Sequence, residues 1–250
     1  MSRFLSPAIR PFSRTDMDQV TVIYDGMWGS REHSEKGLSL LVSRHHLLHY
    51  LVSATHADVA DFEDGVLGVM VVSVEGEPAA FPWASRMLDE VNRDIRALGD
   101  EGLRALDAAE AWHALDDAAE RESGIRAAAF AEIELFLVSS HVRGRGVGGA
   151  LWRSAMDYMA RHGVPRYFLH TDSGCDVGFY DHKGLKRIFD RPVPDELEGH
   201  SLRSAAEGDV PRRVFLYEGS PLDGHMGRGH AIRRRSVARP RHGSSVRPIV

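Results

Sequence analysis

Only one cysteine, Cys175, occurs in the 250 residues. It has no partner for an internal disulfide, so the fold must rest on its core, and a reducing, cytoplasmic setting is the expectation. Long apolar runs are missing too. The longest strongly apolar stretch, Val66-Leu67-Gly68-Val69-Met70-Val71-Val72, falls far short of the ~20 residues of a membrane-spanning helix. The opening MSRFLSPAIRPFS lacks the apolar segment of a secretory signal. No internal repeat is found, and the H-E-x-x-H zinc motif is absent.

What is there is the composition of an ordinary globular protein, 43% hydrophobic and 27% charged, long enough to bury a core. The net charge of -5 is unevenly spread. Residues 221–250 carry seven arginines against Asp223, a net +6, which leaves -11 on the rest. An acidic body attracts cationic molecules, and a basic tail favours anionic surfaces. The tail has almost no apolar periodicity and is expected to be disordered. It also lacks interleaved aromatics, so nucleic acid is not an expected partner.

Along the chain, Ile9-Arg10-Pro11 reads as a first strand. Asp16 to Trp28 reads as a helix with Met17, Val20, Ile23, Tyr24 and Met27 at helical spacing. A second helix is expected from about Glu35 to His49. Tyr50–Thr55 and Gly65–Val74 read as two strands joined by the acidic turn Asp61-Phe62-Glu63-Asp64-Gly65. From Trp83 to Arg121 the pattern is helical again: Leu88, Val91, Ile95 and Leu98 form one stripe. Leu103, Leu106 and Leu115 follow the Gly99-Asp100 break, predicting an inserted helical hairpin between two strands. Then come a strand (Phe130–Val138), a helix (Val147–His162), a strand (Arg166–Thr171) and a short helix (Val177–Lys183). Final strands are expected at Ile188-Phe189 and Val214–Tyr217.

The segment His141-Val142-Arg143-Gly144-Arg145-Gly146-Val147-Gly148-Gly149 precedes a helix, whose unpaired first-turn amides and dipole suit a phosphate. Two patterns overlap there. Gly144, Gly146 and Gly149 satisfy the dinucleotide G-x-G-x-x-G, with Asp172 placed 23 positions after Gly149 as a ribose ligand. Arg143, Gly146 and Gly148 equally satisfy R-x-x-G-x-G. The preceding strand, Ala131-Glu132-Ile133-Glu134-Leu135-Phe136-Leu137-Val138, carries two carboxylates. A strand buried on both faces in a parallel dinucleotide fold would be continuously apolar.

The company of the loop favours the second pattern. Phe136-x-Val138-x-x-x-x-Arg143-Gly144-x-Gly146-x-Gly148 resembles motif A of the GNAT acyltransferase superfamily. Gly178-Phe179-Tyr180-Asp181-His182-Lys183-Gly184-Leu185 resembles its motif B. Ile9-Arg10-Pro11 followed by Asp16 is similar to the family's opening strand. Leu185 stands where Phe is usual, and Ser173 and Asp176 where Asn and Ala are common. The resemblance covers about Ile9 to Tyr217, less the insertion.

It implies an α/β (α+β) fold: a mixed, mostly antiparallel central sheet flanked by helices, with the insertion between the third and fourth strands. Residues 1–220 would form one acyltransferase domain, with the insertion at about 83–121, and 221–250 the tail. It implies acetyl (acyl) transfer from acetyl-CoA to a primary amine by direct attack in a ternary complex, without a metal. Leu137, Val138, Arg143, Gly144, Arg145, Gly146, Val147, Gly148 and Gly149 would bind the cofactor. The backbone N–H of Val138 would meet the oxyanion. Tyr180 matches the family's general acid, its alternative being a half-buried aromatic packing its helix.

An alkylamine with a pKa near ~10 must lose a proton before attacking, and a carboxylate in a partly dry cleft can take it. Glu132 and Glu134 are two apart on one strand and so share a face. Glu132, eleven positions before Arg143, has the spacing of the catalytic glutamate in histone-acetylase-like members, and Glu134 stands second. Their alternative is a solvated strand face. The acidic body favours a cationic acceptor, either a small molecule or a protein amine. A non-catalytic acyl-CoA-binding module and a nicotinamide-dependent oxidoreductase are the competing classes. His45, His46 and His49 lie on a predicted helix, and His45 with His49 could ligate a metal at i, i+4; no third ligand is evident. Cys175 has no nameable histidine partner for nucleophilic chemistry. The leucine stripe is read as internal packing, with a homodimer interface the other arrangement.

Overall fold

The computed structural model describes residues 7–29, 36–63, 65–142, 144–194, 197 and 212–222. The elements run β1 (Ala8–Pro11), α1 (Met17–Trp28), α2 (Lys36–Ser53), β2 (His56–Phe62), β3 (Gly65–Val74), α3 (Ala84–Arg96), α4 (Asp100–Ser123) and β4 (Ala131–Val138). They continue α5 (Val147–Arg161), β5 (Tyr167–Asp172), α6 (Val177–His182), β6 (Lys186–Pro192) and β7 (Arg213–Gly219). The seven strands form one sheet in the order β1-β2-β3-β4-β5-β7-β6. Every neighbouring pair is antiparallel except β4 with β5. That topology excludes the doubly wound parallel sheet of a dinucleotide fold.

The apolar run of β3 has its cause in this arrangement, because helices cover both of its faces. Val69 and Val71 pack with α1, α2 and α3, whereas Met70 and Val72 pack with Val147, Leu151, Ala155 and Met159 of α5. At the sheet's outer edge, Arg10 on β1 donates two 2.8 Å bonds to the buried carboxylate of Asp16 and one of 2.6 Å to Asp61. The Ser13 N–H also donates to Asp16, at 2.8 Å, which organises the entry to α1.

One expected strand is helix. Tyr50–Ser53 closes α2, and β2 begins only at His56. Leu47, Leu48 and Leu51 are fully buried against the sheet, so the helical stripe outweighs the β-propensity of Tyr50 and Val52. The insertion is a helical hairpin between β3 and β4, as its periodicity predicts. Where α3 and α4 cross, a Cβ on Gly102 would sit 1.9 Å from the carbonyl oxygen of Ile95, so only glycine permits the approach. Leu88, Val91 and Ile95 of the stripe pack into the core, whereas Leu98, past the end of α3, is exposed. The basic tail from residue 223 onward lies outside the described residues.

Candidate active site

Ala131 and Ile133 of β4 pack toward α5, and so do Phe136 and Val138. Alternation cannot do this unaided. The register explains it: Val71 opposes Leu135 and Val72 opposes Ile133, leaving Glu134 as the extra residue of a β-bulge. Glu134 therefore falls on the same face as Leu135, and Glu132 lies there too. The glutamates share a face, as their spacing predicts, and the bulge pushes Glu134 outward. The Ser73 hydroxyl donates to Glu134 Oε1 at 2.7 Å, and that of Ser53 at 3.2 Å.

Both carboxylates line a cavity of about 270 Å³ whose opposite wall is α4. Trp112, Asp116 and Glu120 recur every fourth residue along α4 and face it, with His113 and Asp117 beside them. Tyr24, Trp28 and Tyr50 close one side; Asp172, Cys175, Tyr180 and Arg212 the other. Among the described residues, six carboxylates line the space against two arginines, Arg126 and Arg212.

An ion network joins the walls. His170 on β5 lies 3.2 Å from Asp116 through Nδ1 and 3.0 Å from Glu120 through Nε2, with Glu132 at 3.8 Å. Burial alone would lower its pKa, yet these carboxylates hold it well above the usual histidine range. Arg126 Nη2 lies 2.9 Å from Glu120 and 2.8 Å from Glu132. For Glu120, burial raises the carboxyl, but His170 and Arg126 outweigh it and the net direction is down. Glu132 goes the other way: burial, then the neighbouring Glu134 charge, push it up to about 8. Glu134 is raised as well, chiefly by burial. Tyr180, buried against Trp152 and Tyr217, is raised by desolvation and stays protonated at neutral pH.

Among the described residues, β4 pairs with β5 only as far as Ile133, while its pairing to β3 continues to Val138. The Ser139 N–H bonds to Leu67 of β3 at 2.8 Å, so by alternation the Val138 N–H points to the unpaired edge and that of Leu137 back toward β3. Gly144 and Gly146 lie in the left-handed region, at φ 76° and 79°, and Gly146 caps α5. The first-turn amides of Val147, Gly148 and Gly149 are unspent helix donors, able to hold an anion, and Arg145 is exposed beside them. Arg143 lies outside the described residues.

Asp172 does not sit as a ribose ligand. It accepts the Gly174 N–H at 2.5 Å and faces the cavity. The histidines that converge are not the expected His45–His49 pair: His113 of α4, 67 residues from His46, approaches His45 and His46, while His49 stacks on His113. Burial pushes all three imidazoles down, His113 to about 3. The residues missed by sequence reasoning are those of α4, together with Arg126 and His170. Their signal was the i, i+4, i+8 recurrence of Trp112, Asp116 and Glu120, indistinguishable on its own from a solvated helix face.

Residues 102–184 match the model of the "Acetyltransferase (GNAT) family". No match was found among curated proteins. Among solved structures, the chain is similar to a Drosophila melanogaster polyamine N-acetyltransferase with a TM-score of 0.51 and 12% identity, covering 85% of this chain and 99% of that one. A variant of an agmatine N-acetyltransferase gives 0.51 and 13%, covering 86% and 100%. A protein designated SsHAT gives 0.50 and 18%, covering 87% and 99%. Residues 102–184 thus resemble the GNAT acetyltransferases, and the chain as a whole shares the fold of these structures.

Proposed function

We propose that the protein transfers an acetyl group from acetyl-CoA to the primary amine of a small cationic acceptor, by direct attack in a ternary complex. The observation that carries this reading is the cavity, where six carboxylates and a set of aromatic rings surround Glu132 and Glu134. Carboxylates attract an ammonium over distance and pair with it at contact, and aromatic faces add cation–π attraction. Two of the similar structures are a polyamine N-acetyltransferase and an agmatine N-acetyltransferase, and such acceptors are consistent with this lining.

In this reading the glycine loop and the α5 amides hold the pyrophosphate of the coenzyme, with Arg143 and Arg145 adding charge. The unpaired edge of β4 takes the pantetheine arm. Glu132 accepts the amine proton, since a carboxyl at about 8 is matched to a base operating near neutral pH. Glu134 lies close enough to act in its place or to relay through water. As the amine nitrogen bonds to the carbonyl carbon, the Val138 N–H stabilises the developing oxyanion. Tyr180 donates its proton to the departing sulfur as the C–S bond breaks.

The test is acetyl transfer to a panel of amines. Diamines, agmatine and polyamines should be acetylated far more efficiently than neutral or anionic amines. Activity confined to anionic acceptors would overturn the reading.

A further inference from the structure

The histidine cluster between α2 and α4 borders the acceptor cavity, and the proposed transfer uses none of its nitrogens. His45 and His46 are buried on α2, and His113 reaches them from α4. One potential ligand nitrogen from each falls within 4.8 Å of the others. His45 Nε2, His46 Nδ1 and His113 Nε2 are all buried and have no hydrogen-bond partner among the described residues. Three buried imidazole nitrogens left without a partner among the described residues are costly unless something binds them.

The tautomer of His45 is set from outside the cluster. Its Nδ1 lies 2.6 Å from Asn92 Oδ1 on α3, an acceptor, so Nδ1 carries the proton and Nε2 presents its lone pair inward. A metal-bound histidine is oriented in the same way. His49 stacks on His113, ring centroids 3.6 Å apart and planes within 10°, which fixes the third imidazole. Only His46 and His113 of the three also line the acidic cavity, so a fourth ligand position faces water or acceptor.

We propose that His45, His46 and His113 form a site for a divalent transition metal of the zinc class, bridging α2 and α4. Three imidazoles with an open fourth position suit zinc, cobalt or nickel and offer little to magnesium or calcium, which take oxygen ligands. Tetrahedral coordination requires nitrogens about 3.4 Å apart, so the ion would draw the rings inward by roughly an ångström. Asp116 and Glu120 lie one and two turns beyond His113, so the metal would also brace the helix that carries the acceptor wall.

The other convergent group, Glu120, Glu132 and His170, is already charge-balanced by Arg126 and serves as the internal control. Tag-free protein stripped with chelator is titrated with Zn²⁺ in a calorimeter, and with Co²⁺ while the visible spectrum is recorded. One metal per chain is expected, with the intense d–d bands of tetrahedral cobalt and a raised melting temperature. His45→Gln and His113→Gln should abolish stoichiometric binding, Asn92→Ala should weaken it about 10- to 100-fold, and Glu120→Gln should leave it unchanged. The proposal is overturned if the wild-type protein binds no stoichiometric zinc. It is equally overturned if binding survives both histidine substitutions or follows Glu120. The cobalt spectrum of the wild type decides the matter even if a variant misfolds.

Discussion

The imidazole of His170, on β5, lies 3.0 Å from the carboxylate of Glu120, on α4, across 50 residues of sequence. The contact fastens the inserted hairpin to the sheet at the cavity floor and sets an imidazole beside Glu132. A helix that could have lain free on the surface thereby becomes a wall of the site.

Glu132 is the base of the proposed mechanism. Glu132→Gln is expected to lower kcat by about 10²- to 10⁴-fold, the usual worth of a general base, with a smaller effect on the KM for acetyl-CoA. Steady-state release of the coenzyme thiol measures both. If Glu134→Gln produces the larger loss, the two glutamates exchange roles.

The pH profile carries its own sign. A base held at about 8 acts when deprotonated, so kcat/KM should rise through pH 8 and level off, and Glu132→Gln should remove that limb. Stability runs oppositely. The folded state keeps the Glu132 proton that the unfolded chain releases near its ordinary carboxyl pKa, so this group's contribution is full at low pH and is lost as pH rises to about 8. The raised His170 acts in the same direction: its contribution is present below the ordinary histidine pKa and lost as pH rises through its own. Chemical denaturation at pH 5 and pH 9 should therefore show a smaller difference for Glu132→Gln than for the wild type.

Gly146 opens α5 at φ 79°, where a side chain costs about 1–2 kcal/mol of backbone strain, borne by the turn whose amides are proposed to hold the pyrophosphate. Gly146→Val should weaken CoA binding by about tenfold or more in calorimetry. A variant that binds CoA as tightly as the wild type would remove the loop from the coenzyme site.

Arg10 neutralises a carboxylate that is only 3% exposed, that of Asp16. Arg10→Ala should destabilise the fold by about 1.5–3 kcal/mol, the range for hydrogen bonds to charged groups, in urea unfolding. Acetyl transfer by the folded fraction should be unaffected.

Much of this was legible beforehand, and the reasons differ by residue. The run of β3 and the glycines before α5 are local signals. Glu132 and Glu134 stand together on one strand, so their common face follows from spacing. The bulge at Glu134 does not, because it exists only in the register with Val71 and Val72. Tyr50–Ser53 misled because its β-propensity concealed Leu51 as the next turn of a buried helical stripe. The acids of α4 read as a solvated face until His170 and Arg126 are brought against them. His113 likewise becomes a third imidazole only once α4 packs on α2.

The most direct measurement is mass analysis of a cationic diamine and an anionic amino acid after incubation with acetyl-CoA and the protein, alongside the Asp116→Asn, Glu120→Gln double variant. The account predicts acetylation of the diamine at an amine nitrogen, little reaction of the anionic acceptor, and a KM for the diamine raised about tenfold or more in the double variant. Acetylation of the anionic acceptor alone, or a diamine KM indifferent to the α4 carboxylates, would contradict it.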